Sequence, residues 1–182
     1  LVVSSAMSGV TNELVNKSKL ISKNFDKAEY DALVSTGEQV SCALIAARLN
    51  HDGFKSRSWT AWQVPILTDG PHSSARISSI FIRELSKYIK SNGIPVITGF
   101  QGVSKDFRIT TIGRSGSDAT AIMLAKFIKA DECIIYTDVD GVYTTDPRQY
   151  KKAKKIKKIF YDEMLEMASL GSKVMQPTSV QD

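Results

Sequence analysis

Apolar runs of strand type, each ending in a short polar turn and followed by a helical pattern, recur along the chain. That alternation argues for an α/β domain with a largely parallel sheet covered by helices on both faces. Strands are predicted at 1–5, 55–61, 64–68, 94–98 and 133–137, with 106–112 returning as a hairpin arm. The first helix is predicted from about Asn12, with Leu14, Ser18, Ile21 and Phe25 on one stripe. A second runs from Ala28 to a break at Ser35-Thr36-Gly37, whose hydroxyls suit capping of a third that carries Val40, Leu44 and Ala47 toward Leu49. Further helices are predicted over 75–90, closed by Asn92-Gly93; after Asp118, with Ala121, Leu124, Ala125 and Ile128 on the apolar face; and over 162–170. No linker composition interrupts the series, so residues 1–182 read as one domain.

Composition excludes several classes. No segment nears the roughly 18 consecutive apolar residues of a membrane span. Cys42 and Cys133 stand far apart without a Cys-x-x-Cys or Cys/His pattern, so neither a disulfide scaffold nor a zinc site is indicated, and a reducing cytoplasm is the expected home. Much of the net charge of +5 lies in one run, Lys151, Lys152, Lys154, Lys155, Lys157 and Lys158. Ala153, Ile156 and Ile159 interrupt it and no aromatic residues are interleaved to stack on bases, so it reads as a solvated face with no nucleic-acid partner. The chain opens on Leu1-Val2-Val3-Ser4-Ser5, without an initiator Met or leader character, and is expected to be a fragment truncated at both ends.

In open α/β sheets, ligands gather outside the carboxyl ends of the strands. Four polar clusters stand at such positions. Gly113-Arg114-Ser115-Gly116-Ser117-Asp118 enters a helix: glycines let backbone approach a ligand, helix-start amides face negative charge, and Arg114 can grip a carboxylate or phosphate with two parallel hydrogen bonds. The same segment also reads as a turn in which Ser117 or Asp118 caps the helix. Thr137-Asp138-Val139-Asp140-Gly141-Val142-Tyr143, followed by Asp146-Pro147-Arg148, sets carboxylates that can organise Mg²⁺ and phosphates beside a phenol and an arginine, or is an Asp-Gly turn with a Pro-Arg exit. Ser35-Thr36-Gly37-Glu38 offers a carboxylate to a cationic amine, or to the helix dipole alone. Lys173 in Gly171-Ser172-Lys173 reaches phosphate or neutralises a helix end. No P-loop, protein-kinase catalytic loop or Ser/His/Asp set occurs, and His51 and His72 read as surface or turn residues.

Taken in order, 3–12 (Val-Ser-Ser-Ala-Met-Ser-Gly-Val-Thr-Asn), Ser35-Thr36-Gly37-Glu38, Gly99-Phe100-Gln101-Gly102, 113–118, 137–148 and Gly171-Ser172-Lys173-Val174 closely resemble the aspartate kinases, almost end to end. These are members of the amino-acid kinase family. The resemblance implies a three-layer α/β/α sandwich around a mostly parallel eight-stranded sheet, of which 1–182 would be a partial catalytic domain. It implies phosphoryl transfer from ATP to L-aspartate, giving ADP and 4-phospho-L-aspartate, the first step toward lysine, diaminopimelate, threonine and methionine. Thr11, Glu38 and Arg114 would bind aspartate, with Glu38 facing the amino group, Arg114 a carboxylate, and Ser5 and Ser117 completing the pocket. Thr137, Asp138, Tyr143 and Arg148 would line the nucleotide site, and Lys173 would lie beside the ATP phosphates. Asp118 would orient the lysines that, with Mg²⁺, stabilise the transferring group. A homo-oligomer is implied for the full-length enzyme.

Ser115 replaces the first inner glycine of the family's Gly-Arg-Gly-Gly-Ser-Asp, and Gln176 stands where many members have His. The family's opening Lys-x-Gly-Gly strand and its C-terminal regulatory modules are missing, so the chain is expected to be inactive alone. The alternatives are a sister kinase acting on glutamate, acetylglutamate, carbamate or UMP, against which Ser5-Ala6-Met7 and Ser35-Thr36-Gly37-Glu38 weigh, and a basic nucleic-acid-binding module.

Overall fold

The structure is a computed structural model, and it describes residues 1–113, 115–137, 141–145, 150–160 and 163. In chain order the elements are β1 (Val2–Ser4), α1 (Val10–Ile21), α2 (Lys27–Val34), α3 (Thr36–His51), β2 (Ser56–Trp59), β3 (Ile66–Asp69), β4 (Arg76–Ile80), α4 (Arg83–Lys90), β5 (Ile94–Thr98), β6 (Gln101–Val103), β7 (Ile109–Thr111) and α5 (Gly116–Ile128).

Three strands form a wholly parallel sheet in the order β1-β5-β2. Side chains alternate across a strand, and here the alternation sorts the core into two. Val2 and Val96 face Cys42 and Ala46 of α3, while Val3, Trp59 and Ile97 face Leu85 of α4 and Met123 and Leu124 of α5. Val96 and Ile97, adjacent on β5, are both fully buried. Helices therefore cover both faces, which is the three-layer α/β arrangement expected.

The remaining strands form a mixed sheet, β4-β3-β6-β7, in which β3 and β6 are parallel and the outer pairs antiparallel. The chain steps from one sheet to the other at Gly99-Phe100, directly after β5. Phe100 takes a positive φ of 67°, and β6 and β7 make the predicted hairpin arm.

Several local expectations are corrected. The helix predicted over 75–90 is a strand followed by a shorter helix, β4 and α4. Ile77 and Ile80 stand three apart, a helical spacing, but β3, distant in sequence, supplies the hydrogen bonds that decide for a strand, with a register shift at Leu67/Thr68 between the two positions. Ser35 does not cap α3; its Oγ donates to the Ala32 carbonyl at 3.0 Å, within α2. Val40, Leu44 and Ala47 lie on the outer side of α3, whose buried positions are Gly37, Glu38, Ser41, Cys42 and Ala46. Residues 133–137 form no strand: Cys133, Ile134 and Tyr136 are exposed. A cleft of about 390 Å³, walled by Val2, Val3, Ala121, Ala125 and Ile128, separates them from β1. Among the described residues nothing pairs with that outer edge of β1. The expected single sheet of eight strands is thus seven strands in two sheets among the described residues. The helix predicted over 162–170 lies outside the described residues apart from Glu163.

At the step between sheets, backbone meets backbone. A Cβ on Gly99 would sit 2.7 Å from Ser117 Oγ and 2.9 Å from Ser117 Cα; one on Gly116 would sit 2.8 Å from Phe100 Cδ2. Gly99→Ala should push the start of α5 outward and destabilise the fold by about 1–3 kcal/mol, the usual cost of overpacking. Urea unfolding reads this as a lowered midpoint; an unchanged midpoint would show that α5 is not held by this contact.

Candidate active site

The carboxyl end of β1, the first turns of α1 and α3, the Gly99-Phe100 step and the start of α5 surround a cleft of about 470 Å³. Ser5, Thr11, Glu38, Ser117 and Asp118, five of the residues picked from sequence, line it together. Arg114 lies outside the described residues, but its neighbours Gly113 and Ser115 are on the wall. Thr137 is exposed and Tyr143 half-buried in a bridge with Lys155; neither borders this cleft. Asp138, Arg148, Lys173 and Gln176 lie outside the described residues.

Hydroxyl ties fix the walls. Ser41 Oγ donates to the Ser5 carbonyl at 2.6 Å and lies 2.9 Å from Ser4 Oγ, which locks α3 to the end of β1. Gly37 permits that approach, since a Cβ there would stand 2.9 Å from Ala6 Cβ. On the opposite side, the Gly99 amide donates to the Ser4 carbonyl at 3.0 Å, and the Phe100 amide to Thr120 Oγ1 at 3.2 Å. Thr120 Oγ1 in turn donates to the Gly116 carbonyl at 2.7 Å.

Glu38 is the unusual group. It stands in the first turn of α3, is only 4% exposed, and takes one hydrogen bond, from the Ala6 amide to Oε1 at 3.1 Å. Its Oε2 is buried and has no partner. Burial outweighs the Ala6 bond and pushes the carboxyl up to about 7. Asp118, in the first turn of α5, is also raised by burial, and it borders both this cleft and the one beside β1. Ser117 and Ser5 border both as well, so the two spaces meet at these three residues. Ser115 takes a left-handed φ of 57° immediately before α5, so this position accepts a side chain at a backbone cost of about 1–2 kcal/mol.

Sequence reasoning missed Tyr30, Ser73, Phe100 and Thr111 on the cleft wall. The signal for Phe100 was present in the polar turn that ends β5. For the others it was not, because hydrogen bonds between segments distant in the chain bring them there. His72, read as a turn residue, places Nδ1 2.8 Å from Oδ2 of the buried Asp31.

A model of the amino acid kinase family matches residues 1–181. The aspartokinase of Geobacillus stearothermophilus is 51% identical over 181 residues, which take in 100% of this chain and 44% of that protein. The aspartate kinase of Stutzerimonas stutzeri is 53% identical over the same shares. The chain thus spans less than half the length of the curated relatives it matches. Among solved structures, aspartate kinase from Synechocystis superposes with a TM-score of 0.81 at 43% identity, covering 98% of this chain and 29% of that one. Aspartokinase III of E. coli, solved with aspartate and ADP, gives a TM-score of 0.81 at 30% identity, covering 94% and 39%.

The state of Glu38 sets a pH dependence. Its carboxyl is held at about 7 in the fold against an ordinary 4.5, so the folded chain binds the proton more tightly than the unfolded one. Stability from this group is fully present below about 4.5 and is lost as pH rises toward and through about 7. Glu38→Gln should abolish that loss and leave the variant about 2–3 kcal/mol more stable than the parent at pH 8 without ligand. Denaturant unfolding at pH 5 and pH 8 checks this, and a variant less stable than the parent at pH 8 would refute it.

Proposed function

The chain belongs to the amino acid kinase family, and from that premise we propose that it is the acceptor-binding part of an aspartate kinase. In this reading the full-length protein transfers the γ-phosphoryl group of ATP to the β-carboxylate of L-aspartate. The observation that supports it best is the buried Glu38 carboxylate, with one oxygen unpartnered, on the wall of a cleft with room for an amino acid. A buried carboxylate of this kind calls for a cation, and the α-ammonium of an amino acid supplies one. The likeness to relatives named as aspartate kinases, at about half identity over the whole chain, supports the same acceptor.

Each residue has a task on this reading. Glu38 pairs with the ammonium, Thr11, Ser5 and Ser117 donate hydrogen bonds to the acceptor, and Arg114 holds a carboxylate. An ionised β-carboxylate is already nucleophilic, so no general base is required: its oxygen attacks the γ-phosphorus as the bond to ADP breaks. The chain's contribution is alignment and the neutralising of charge. Asp118 stands where the two clefts meet and is the catalytic carboxylate, while Thr137, Asp138, Tyr143, Arg148 and Lys173 serve the nucleotide and its phosphates. Mg²⁺ suits this donor set as a companion of the phosphates: it keeps oxygen ligands and needs only one or two carboxylates, of which Asp118 would provide one. When bound, it spreads the charge of the transferring group. The reading includes a cytoplasmic, homo-oligomeric enzyme.

Formation of ADP by the full-length protein should depend on L-aspartate, and the acyl phosphate formed should be trapped as a hydroxamate by hydroxylamine. ADP formation that is indifferent to aspartate, or faster with glutamate or UMP, would sink the assignment. In the same assay Arg114→Ala should chiefly raise the KM for aspartate, and Asp118→Ala should chiefly lower kcat; the reverse pattern would exchange their roles.

Aspartate binding should also expel the Glu38 proton. Affinity should rise with pH through about 7 and level off above it, with most of a proton released per aspartate at pH 6.5 and almost none at pH 8.5. Titration calorimetry in buffers of different ionisation enthalpy measures this; binding without proton release at pH 6.5 would remove Glu38 from the ammonium site.

A further inference from the structure

Asp31 lies on α2, does not line the cleft, and is fully buried. Its carboxylate accepts hydrogen bonds from two separate stretches of chain. Oδ2 takes the Ser73 amide at 2.9 Å, the Thr111 amide at 3.1 Å and His72 Nδ1 at 2.8 Å. Oδ1 takes Thr111 Oγ1 at 2.7 Å and Ser73 Oγ at 3.1 Å. Since a carboxylate only accepts, Nδ1 of His72 carries the proton in this contact.

Both tied stretches are walls of the cleft. Ser73 and Thr111 line it, as does Tyr30, the residue before Asp31. Ser73 is held at a φ of 68°, a left-handed conformation that serine seldom adopts, with its amide and hydroxyl both spent on Asp31. Thr111 ends β7, two residues before Gly113, where the loop into α5 begins. The Ala75 amide donates to the Thr111 carbonyl at 3.0 Å, so the two stretches also hold each other. A buried carboxylate needs hydrogen-bond donors, but a purely structural one could take them from any part of the core. This one meets cleft-wall residues on each of the segments it ties.

We infer that Asp31 is a positioning residue for the acceptor cleft. By holding Ser73 and Thr111 it sets where Gly113 and Ser115, at the entry to α5, stand relative to Glu38, and it does so without touching the acceptor. The inference rests on the reading of this cleft as the aspartate site.

Asp31→Asn keeps the shape but replaces one accepting oxygen with an amide that faces donors. In the full-length protein it should raise amide hydrogen exchange over 72–75 and 111–117 while leaving β1 and β5 unchanged. It should raise the KM for aspartate roughly tenfold or more, as expected when binding groups shift by a fraction of an ångström, and leave the KM for ATP nearly unaltered. Thr111→Val, which removes only the hydroxyl bond, should act in the same direction to a smaller extent and decides the matter if Asp31→Asn does not fold. Exchange that rises uniformly across the sheet, or locally raised exchange with an unchanged KM for aspartate, would reduce Asp31 to a structural tie and overturn the inference. If the parent enzyme shows no dependence on aspartate, the reading of the cleft fails. The positioning role then falls with it, and the exchange pattern tells only whether Asp31 ties Ser73 and Thr111 in place.

Discussion

The passage of the Gly99-Phe100 turn against the first turn of α5 is a contact of main chain on main chain, and the cleft depends on it. Three elements converge there. Gly99 hangs from β1 through the Ser4 carbonyl, Phe100 from α5 through Thr120, and Gly37 lets α3 close on the far side of β1. Polar side chains short enough to matter, Ser5, Glu38, Ser117 and Asp118, then project into one space. Any Cβ at these glycines would open that space by pushing a helix start away, and the loss would be one of geometry before it was one of chemistry.

Two buried carboxylates lie near this space in opposite electrostatic conditions. Asp31 has donors on both oxygens from two chain segments, the condition under which a buried charge is tolerated. Glu38 has a single amide and an oxygen with nothing. The first arrangement is complete as it stands; the second is complete only with a further cation. On the proposed reading, that contrast separates a residue that builds the site from one that serves it, although both are buried.

Local pattern made much of this legible. The parallel strands β1, β2 and β5, the β6–β7 hairpin and the helix starts at Glu38 and Asp118 follow from apolar runs meeting small polar turns; Glu38, Ser117 and Asp118 follow from the rule that ligands gather at strand carboxyl ends, while Ser5 and Thr11 came only from the resemblance to the aspartate kinases. What pattern could not supply was partnership at a distance. Arg76–Ile80 becomes a strand because β3 is beside it, while 133–137, with a better strand sequence, stays irregular because no described strand reaches it. On α3, Val40 and Leu44 looked like core positions, yet the inward face belongs to Ser41, Cys42 and Ala46, which bind and pack on β1 and β5. Asp31 was hidden for the same reason: a single acidic residue in a helix announces nothing until Ser73 and Thr111 fold onto it.

The outer edge of β1 has a different implication. Its backbone donors and acceptors meet no strand among the described residues, and Val2 and Val3 stand at the rim of an apolar space with Ile134 exposed opposite. A bare edge of β-branched residues is a template for any extended segment that arrives with its own backbone groups free. The stretch is only three residues long, which limits the harm, but it makes crowding of molecules with this surface uncovered a route to edge-to-edge association and loss of material from solution.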